Sequence, residues 1–338
     1  MTDSLGDRLP PSPIVPTVDL GGRGAQHGHL RLPYSRDDSA WGSIMIPIAV
    51  IGDGDGPTAL LTGGNHGDEY EGPIALFELA RALDPAMVRG RVIIVPAMNY
   101  PAFRAGTRTS PIDKGNLNRS FPGSPMGTVT GKIADYITRH LVPLADIVLD
   151  FHSGGRTLDF LPYAAAHELE DKEQERRCFD AVAAFAAPYS MRMREIDAAG
   201  MFDTTVEATG KVFVTTELGG GGTASAYTAG IARRGARNLL RHAGIIGGEP
   251  EGHPGRFLDM PSADCFAFAE HAGLVAFAKD LGDPVTKGEV VACIHPVERT
   301  GMPPAEIRAA LDGILAARHF PGLVQHGDCL FVVATVED

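Results

Sequence analysis

A chain of 338 residues, 44% hydrophobic and 21% charged, has the length of one large domain with an appendage and the composition of a globular protein with a sizeable core. Its 30 basic against 42 acidic residues leave a formal charge of −12, which argues against a nucleic-acid or anionic-membrane partner, since either calls for a basic surface. The start, MTDSLGDRLPPSPIVP, has no basic segment followed by an apolar stretch, and no run approaches ~18 apolar residues, so neither a secretory signal nor a membrane span is expected. Cys178, Cys265, Cys293 and Cys329 are scattered without a CxxC pair and read as reduced, buried small side chains of a soluble cytoplasmic protein.

In chain order, residues 1–20 are proline-rich and read as an extended arm laid over a neighbour, a candidate contact of a homo-oligomer. Ser43 to Ile51 reads as a strand and GDGDG (52–56) as a turn. From there strand and helix alternate. ALLTG (59–63) leads into a helix from about Pro73 to Leu83, where proline suits the first turn. RVIIVPAMN (91–99) reads as a buried strand, and Val129, Ile133, Tyr136, Ile137 and Leu141 recur at helical spacing. DIVLDFHS (146–153) is a strand, DKEQERRCFDAVAAFAA (171–187) a helix, KVFVTTEL (211–218) a strand, and Ala226 to about His242 a helix. Uniformly apolar strands alternating with helices point to an α/β fold with a largely parallel sheet covered on both faces. After about residue 255, short β-prone pieces broken by Gly-Asp, Asp-Pro and Lys-Gly turns suggest a small all-β appendage. The expected division is an arm with a β segment (1–56), a catalytic domain (57–250) and a C-terminal β domain (251–338).

Three polar clusters fall at the C-terminal ends of expected parallel strands, where open α/β sheets place their sites. His66 and Glu69 follow ALLTG, His152 ends DIVLDFHS, and Glu217 ends VFVTTEL before four glycines, Gly219 to Gly222. Alone, His66 and Glu69 are ordinary turn residues. Joined by His152 they make two imidazoles and a carboxylate, the donor set of a catalytic zinc site with one position left for water. Asp150, two residues before His152 on the same side of the strand, could fix a ligand imidazole's tautomer or equally cap a neighbouring turn. Glu217 is the general-base candidate, because a carboxylate at the end of a buried strand needs a reason to be there. The glycines after it allow a close backbone approach or a mobile lip. Arg104, Arg108 and Arg119 lie in RAGTRTSPIDKGNLNRSFPG (104–123), which reads as a long loop; one arginine could clamp a carboxylate and another polarise a scissile carbonyl. No G-x-S-x-G elbow, phosphate-binding G-x-x-x-x-G-K-[ST] loop or H-E-x-x-H motif is present.

GGNHGDE, LDFHSG, GNLNRSF and TTELG, in this order, resemble the succinylglutamate desuccinylase/aspartoacylase family, relatives of the zinc carboxypeptidases, over residue 57 to the C-terminus. The resemblance implies a zinc-carboxypeptidase-like, mixed and largely parallel sheet flanked by helices, with a small C-terminal all-β domain. It implies one Zn²⁺ per chain held by His66, Glu69 and His152, and Glu217 as general acid/base. Asn118 and Arg119 would clamp the substrate's α-carboxylate, and Arg108 would stabilise the carbonyl oxygen, with Arg104 a rival for that role. VPAMNYPAFRAGTRTSPIDKGNLNRSFPG and HGDEYEGPIALFELAR resemble a narrower branch, the deacetylases acting on N-α-acetyl-L-2,4-diaminobutyrate in bacterial ectoine degradation.

The expected function is zinc-dependent removal of an acetyl group from the α-nitrogen of a small amino acid. Aspartoacylase or desuccinylase activity and a metallocarboxypeptidase stay open as alternatives, and outside enzymes so does a metal-free binding protein on the same fold.

Overall fold

A computed structural model describes residues 10–193 and 199–337; the first nine residues of the proline-rich arm lie outside the described residues. From Pro10 onward the arm packs on its own chain. Ile14 and Val18 are buried, Val15–Pro16 pairs with Arg31 and Leu30, and Arg139 donates to the Pro10 carbonyl. These residues therefore cover the core of their own chain.

A long antiparallel hairpin follows, Gly24–Pro33 (β1) with Ser43–Gly52 (β2). In β1, Leu30 and Leu32 are buried while Arg31 and Pro33 are exposed, the period of two expected of a strand with one wet face. Next come Thr58–Thr62 (β3) and the helix Glu71–Ala82 (α1), with Pro73 inside its first turn, where a backbone N–H would have no intrahelical partner. Arg91–Val95 (β4) gives way at once to the helix Tyr100–Ala105 (α2), so Arg104 sits in a helical turn rather than in the expected loop. Val129–Tyr136 (α3) carries the expected helical periodicity, prolonged by a wider turn over Ile137–Leu141.

Ile147–His152 (β5), Leu158–Phe160 (β6) and Tyr163–His167 (β7) lead to Lys172–Phe185 (α4), capped by Asp171, whose carboxylate accepts from the Glu173 and Gln174 amides. Then follow Tyr189–Met193 (β8), Phe202–Glu207 (α5), Val212–Glu217 (β9) and Ala226–His242 (α6), which opens on a Ser225–Thr228 capping box. The C-terminal part adds Arg256–Asp259 (β10), Phe266–Phe268 (β11), Gly313–His319 (β12) and Cys329–Glu337 (β13).

The main sheet runs β1-β2-β4-β3-β5-β9-β7-β8-β10-β13-β12. It is mixed. Parallel pairing holds in two runs, β4/β3/β5/β9 and β7/β8/β10, and the joints and both flanks are antiparallel. The reversal between β9 and β7 has a simple cause. Parallel neighbours need a crossover of a dozen or more residues, and the short stretch from His152 to Tyr163 contains none, so the chain folds back. Successive strand residues face opposite ways: Leu61, Leu149 and Val214 pack under α1, α4 and α6, while Leu60, Val148 and Phe213 pack against α3, α5 and the arm.

After residue 251, strands Gly273–Phe277, Val290–His295, Ala305–Arg308 and Leu323–Val324 form a separate four-stranded sheet packed on Leu330, Phe331 and Val333 of β13. The strands β10, β12 and β13 instead extend the main sheet, so the expected β appendage is continuous with it. The four cysteines are free, and among the described residues no helix is long and apolar enough to cross a membrane.

Candidate active site

Parallel register aligns the C-terminal ends of three strands: Thr62 of β3 lies opposite Asp150, and His152 of β5 opposite Glu217 of β9. The turn 63–70 leaves β3 over this edge. Its Gly67 is wedged against the end of α2, where a Cβ would come within 2.0 Å of the Ala102 carbonyl carbon, and its amide donates to the Thr107 carbonyl. That close approach points His66 and Glu69 inward.

His66, Glu69 and His152 offer ligand atoms all within 4.8 Å of one another. His66 Nδ1 lies 2.8 Å from Glu69 Oε1 and His152 Nδ1 lies 3.0 Å from Oε2. Behind them, His152 Nε2 is 2.9 Å from Asp150 Oδ2 and His66 Nε2 is 3.2 Å from Asn116 Oδ1. Both of these oxygens are acceptors, so each Nε2 carries the proton. Asp150 is itself fixed by Thr62 Oγ1 and Asn65 Nδ2, and Asn116 Oδ1 also accepts from the Asn118 amide. A neutral imidazole with its proton on Nε2 presents a lone pair at Nδ1. Two such lone pairs and a carboxylate then face one another in a buried space, an arrangement that a cation satisfies.

Electrostatics agrees with that reading at His66 and Glu69, whereas at His152 it favours a second proton, on Nδ1, which a cation would displace. Burial holds His66 below its ordinary pKa and so favours the neutral ligand form. For Glu69 burial opposes charging, yet His66 and His152 outweigh it and keep the carboxyl well below the usual range. Burial likewise opposes protonation of His152, but Asp150 and Glu69 together hold it well above the ordinary value.

Glu217 stands one strand over. Burial, then the charge of Glu69, push its carboxyl up to about 8, and its Oε2 has no hydrogen-bond partner among the described residues. The glycines that follow are no loose lip. The Gly221 amide donates to the Leu158 carbonyl, the Gly219 carbonyl accepts from Gly154 and Phe160, and a Cβ on Gly220 (φ +156°) would sit 2.0 Å from the Leu158 oxygen. Gly220 is a glycine because β6 lies against it, while a Cβ on Gly221 would meet the Phe320 ring and one on Gly222 the Arg156 side chain.

Of the three arginines, Arg108 overhangs the trio, its Nη1 3.6 Å from Glu69 Oε1 with the side chain half exposed. Arg104 reaches the Tyr100 hydroxyl at 3.5 Å on its own helix. Arg119, in the short turn Leu117–Arg119, donates to the Asn118 carbonyl and borders a cavity with Glu217. Asn118 is buried, and its Oδ1 accepts from Asn65 Nδ2 and the Phe202 amide, which leaves only its Nδ2 for a ligand. That cavity, about 460 Å³, is walled by Phe160, Met191, Met193, Met260 and Phe266 among others.

Besides Thr62 and Asn65, which fix Asp150, two further residues around this network escaped the sequence reading. Asn116 is the first asparagine of GNLNRSF, and only its bond to His66 marks it. Glu71 opens α1, is buried, and accepts from Thr228 Oγ1 at 3.3 Å; burial pushes its carboxyl up to about 7. In the unfolded chain Glu71 titrates near 4.5, so in the metal-free protein its stabilising contribution is complete below pH ~4.5 and is lost as pH rises through about 7. Glu71→Gln keeps the acceptor without the charge. The metal-free variant is expected to melt a few degrees above wild type at pH 8 and no higher at pH 4.5, read by thermal melts in chelator; equal offsets at both pH values would refute the assignment.

The strand-edge site and the mixed sheet are those of a deacylase of the desuccinylase and aspartoacylase type. Residues 55–243 match the succinylglutamate desuccinylase/aspartoacylase catalytic domain, and the chain belongs to that family. It is 56% identical over 328 residues, 96% of each chain, to the N-alpha-acetyl-L-2,4-diaminobutyric acid deacetylase of Halomonas elongata. Its fold superposes on the product-bound structure of the ectoine utilization protein EutE (DoeB) from Ruegeria pomeroyi with a TM-score of 0.95 and 60% identity, covering 96% of this chain and 99% of that one. A succinylglutamate desuccinylase/aspartoacylase from Rhodobacter sphaeroides matches at a TM-score of 0.92 and 39% identity, over 96% and 100% of the two chains.

Proposed function

We propose that this protein is a zinc-dependent deacetylase that hydrolyses N-α-acetyl-L-2,4-diaminobutyrate to acetate and the free diamino acid, a step in the breakdown of ectoine. The observation that carries the reading is the convergence of His66, Glu69 and His152 beside the partnerless Glu217 oxygen, in a chain 56% identical to a deacetylase of that substrate. A zinc ion held by His66, Glu69 and His152 would supply positive charge that polarises an amide carbonyl and acidifies water.

The chain's own groups do the rest. Asp150 and Asn116 hold the Nε2 protons of the two histidines and so keep both Nδ1 atoms turned inward. Glu217 takes the proton of the attacking water and returns it to the leaving α-nitrogen. Its elevated pKa suits it to the second task. Cation binding offsets the Glu69 charge that raises it, which suits Glu217 to the first. The Arg108 guanidinium stabilises the negative charge that develops on the carbonyl oxygen, and Arg119 with Asn118 Nδ2 orients the α-carboxylate before chemistry begins. On this reading the catalytic unit is 57–250, with 1–56 and 251–338 as its flanking arm and β domain.

A panel of zinc-loaded assays tests the proposal. Acetate release from N-α-acetyl-L-2,4-diaminobutyrate is expected to exceed cleavage of N-acetylaspartate, N-succinylglutamate and dipeptides by at least tenfold in kcat/KM. Preference for either of the other acyl amino acids would move the substrate assignment within the family, and preference for dipeptides would make the enzyme a carboxypeptidase.

A further inference from the structure

The sheet is covered unevenly at its hairpin end. In the outer half of β2, Ile44, Ile46 and Ile48 are buried while Met45 and Pro47 stay partly exposed. These two pair with Arg31 and His29 of β1, which face solvent with them. From Ala49 onward both faces of β2 are buried, because Ala49 and Ile51 lie under Ala75, Leu76 and Leu79 of α1. Among the described residues, then, one face of the outer hairpin is bare. Where it meets α1 there is a groove of about 250 Å³, walled by His27, His29, Pro47, Phe77 and Pro96 among others. Phe77 is 46% exposed on a helix whose Pro73, Leu76 and Leu79 are buried.

The tip of the same hairpin carries a matching part. Trp41, the only tryptophan of the chain, is 98% exposed. It stands on a built turn: the Tyr34 amide donates to the Gly42 carbonyl, Arg36 and Ser39 exchange backbone hydrogen bonds, and Arg36 pairs with Asp38 at 2.6 Å. A tryptophan on a fixed backbone loses little freedom on docking, which suits it to anchor an interface. Charge follows the same division. Asp37 and Asp38 are exposed at the tip, and His27, His29 and Arg31 along the strand that walls the groove, in a chain of net charge −12. Pro47 lies six residues past Trp41, roughly 20 Å along a strand, so no hairpin fills its own groove. Two copies laid antiparallel do: a single two-fold axis puts each tip on the other's groove, acid against base at both ends.

We propose that the bare face of this hairpin docks a second copy of the chain in a two-fold dimer, Trp41 of each protomer entering the groove walled by Pro47 and Phe77 in the other. The homo-oligomer contact that the sequence suggested for the N-terminal arm thus falls to the hairpin.

Sedimentation of the full-length protein over a dilution series is the test. Wild type is expected to dimerise, and Trp41→Ala and Phe77→Glu each to weaken association by at least about thirtyfold. Both side chains are exposed, so neither substitution empties the core. Trp41→Ala keeps the groove and Phe77→Glu keeps the tip, so an equimolar mixture regains one of the two contacts and should associate more tightly than either variant alone. A wild type still monomeric at about 100 μM, a dimer that both variants leave intact, or a mixture no tighter than its components overturns the proposal. The single tryptophan supplies a second readout, since its emission should move to shorter wavelength as the dimer forms. Emission unchanged on dimerisation, or emission moved by deleting residues 1–9 and not by dilution, overturns it as well.

Discussion

Glu217→Gln is expected to lower kcat by roughly 10²–10⁴-fold while the protein keeps its zinc and its KM stays within a few-fold. Glutamine matches glutamate in size, and Glu217 Oε2 has no hydrogen-bond partner to lose among the described residues. The change should therefore leave the packing of β9 between β5 and β7 intact. What it removes is a group that can accept a proton from water and deliver one to an amine. Glu217 is not one of the converging metal-ligand residues, which separates its role from theirs. Metal analysis beside acetate-release kinetics reads the two quantities independently. Zinc retained with near wild-type turnover would remove Glu217 from the chemistry. Zinc lost along with activity would instead make it a ligand.

The centre of this site was legible in the sequence because each of its residues ends a strongly apolar strand or the turn after one. VLDFH and VFVTTE announce buried strands by composition alone, and a charged group at the end of such a run is conspicuous. The helices α4 and α6 were legible for similar reasons, a capping residue followed by regular apolar spacing. What escaped depends on contacts between distant segments. Asn116 matters because its side chain meets His66 fifty positions away, and Glu71 because Thr228 and the start of α1 enclose it. Neither has a local signature. The sheet is less parallel than its strand texture suggested because burial on both faces makes a strand apolar whichever way its neighbour runs, as the antiparallel pair β9 and β7 shows. The glycines after Glu217 read as freedom in the sequence, yet the room their missing Cβ atoms leave is taken by Thr228 at Gly219, the Leu158 and Asp159 backbone at Gly220, Phe320 at Gly221 and Arg156 at Gly222.

His66→Ala is expected to abolish zinc binding, and with it both activity and the stabilisation that zinc confers. At a free zinc concentration a thousandfold above Kd, a native-state ligand adds about 4 kcal/mol, so wild type should melt higher with zinc than in chelator and the variant should not. The comparison in chelator has its own content. His66 is one of two imidazoles that hold the Glu69 carboxyl in its charged form, and removing it leaves Oε1, among the described residues, with Arg108, 3.6 Å away and half exposed. Deleting this buried ring also leaves a cavity beside Glu69, so the variant should melt below wild type even without metal. Asp150→Asn grades the argument. Its substitution disturbs the orientation of His152 without deleting a ligand, which should weaken zinc affinity by roughly 10–100-fold rather than abolish it. A site in which His66→Ala still binds one zinc per chain, or in which Asp150→Asn is the more damaging of the two, is not built on the His66–Glu69–His152 trio. The ranking of these two variants thus tests the trio independently of any substrate, because zinc affinity and melting temperature are both read without turnover.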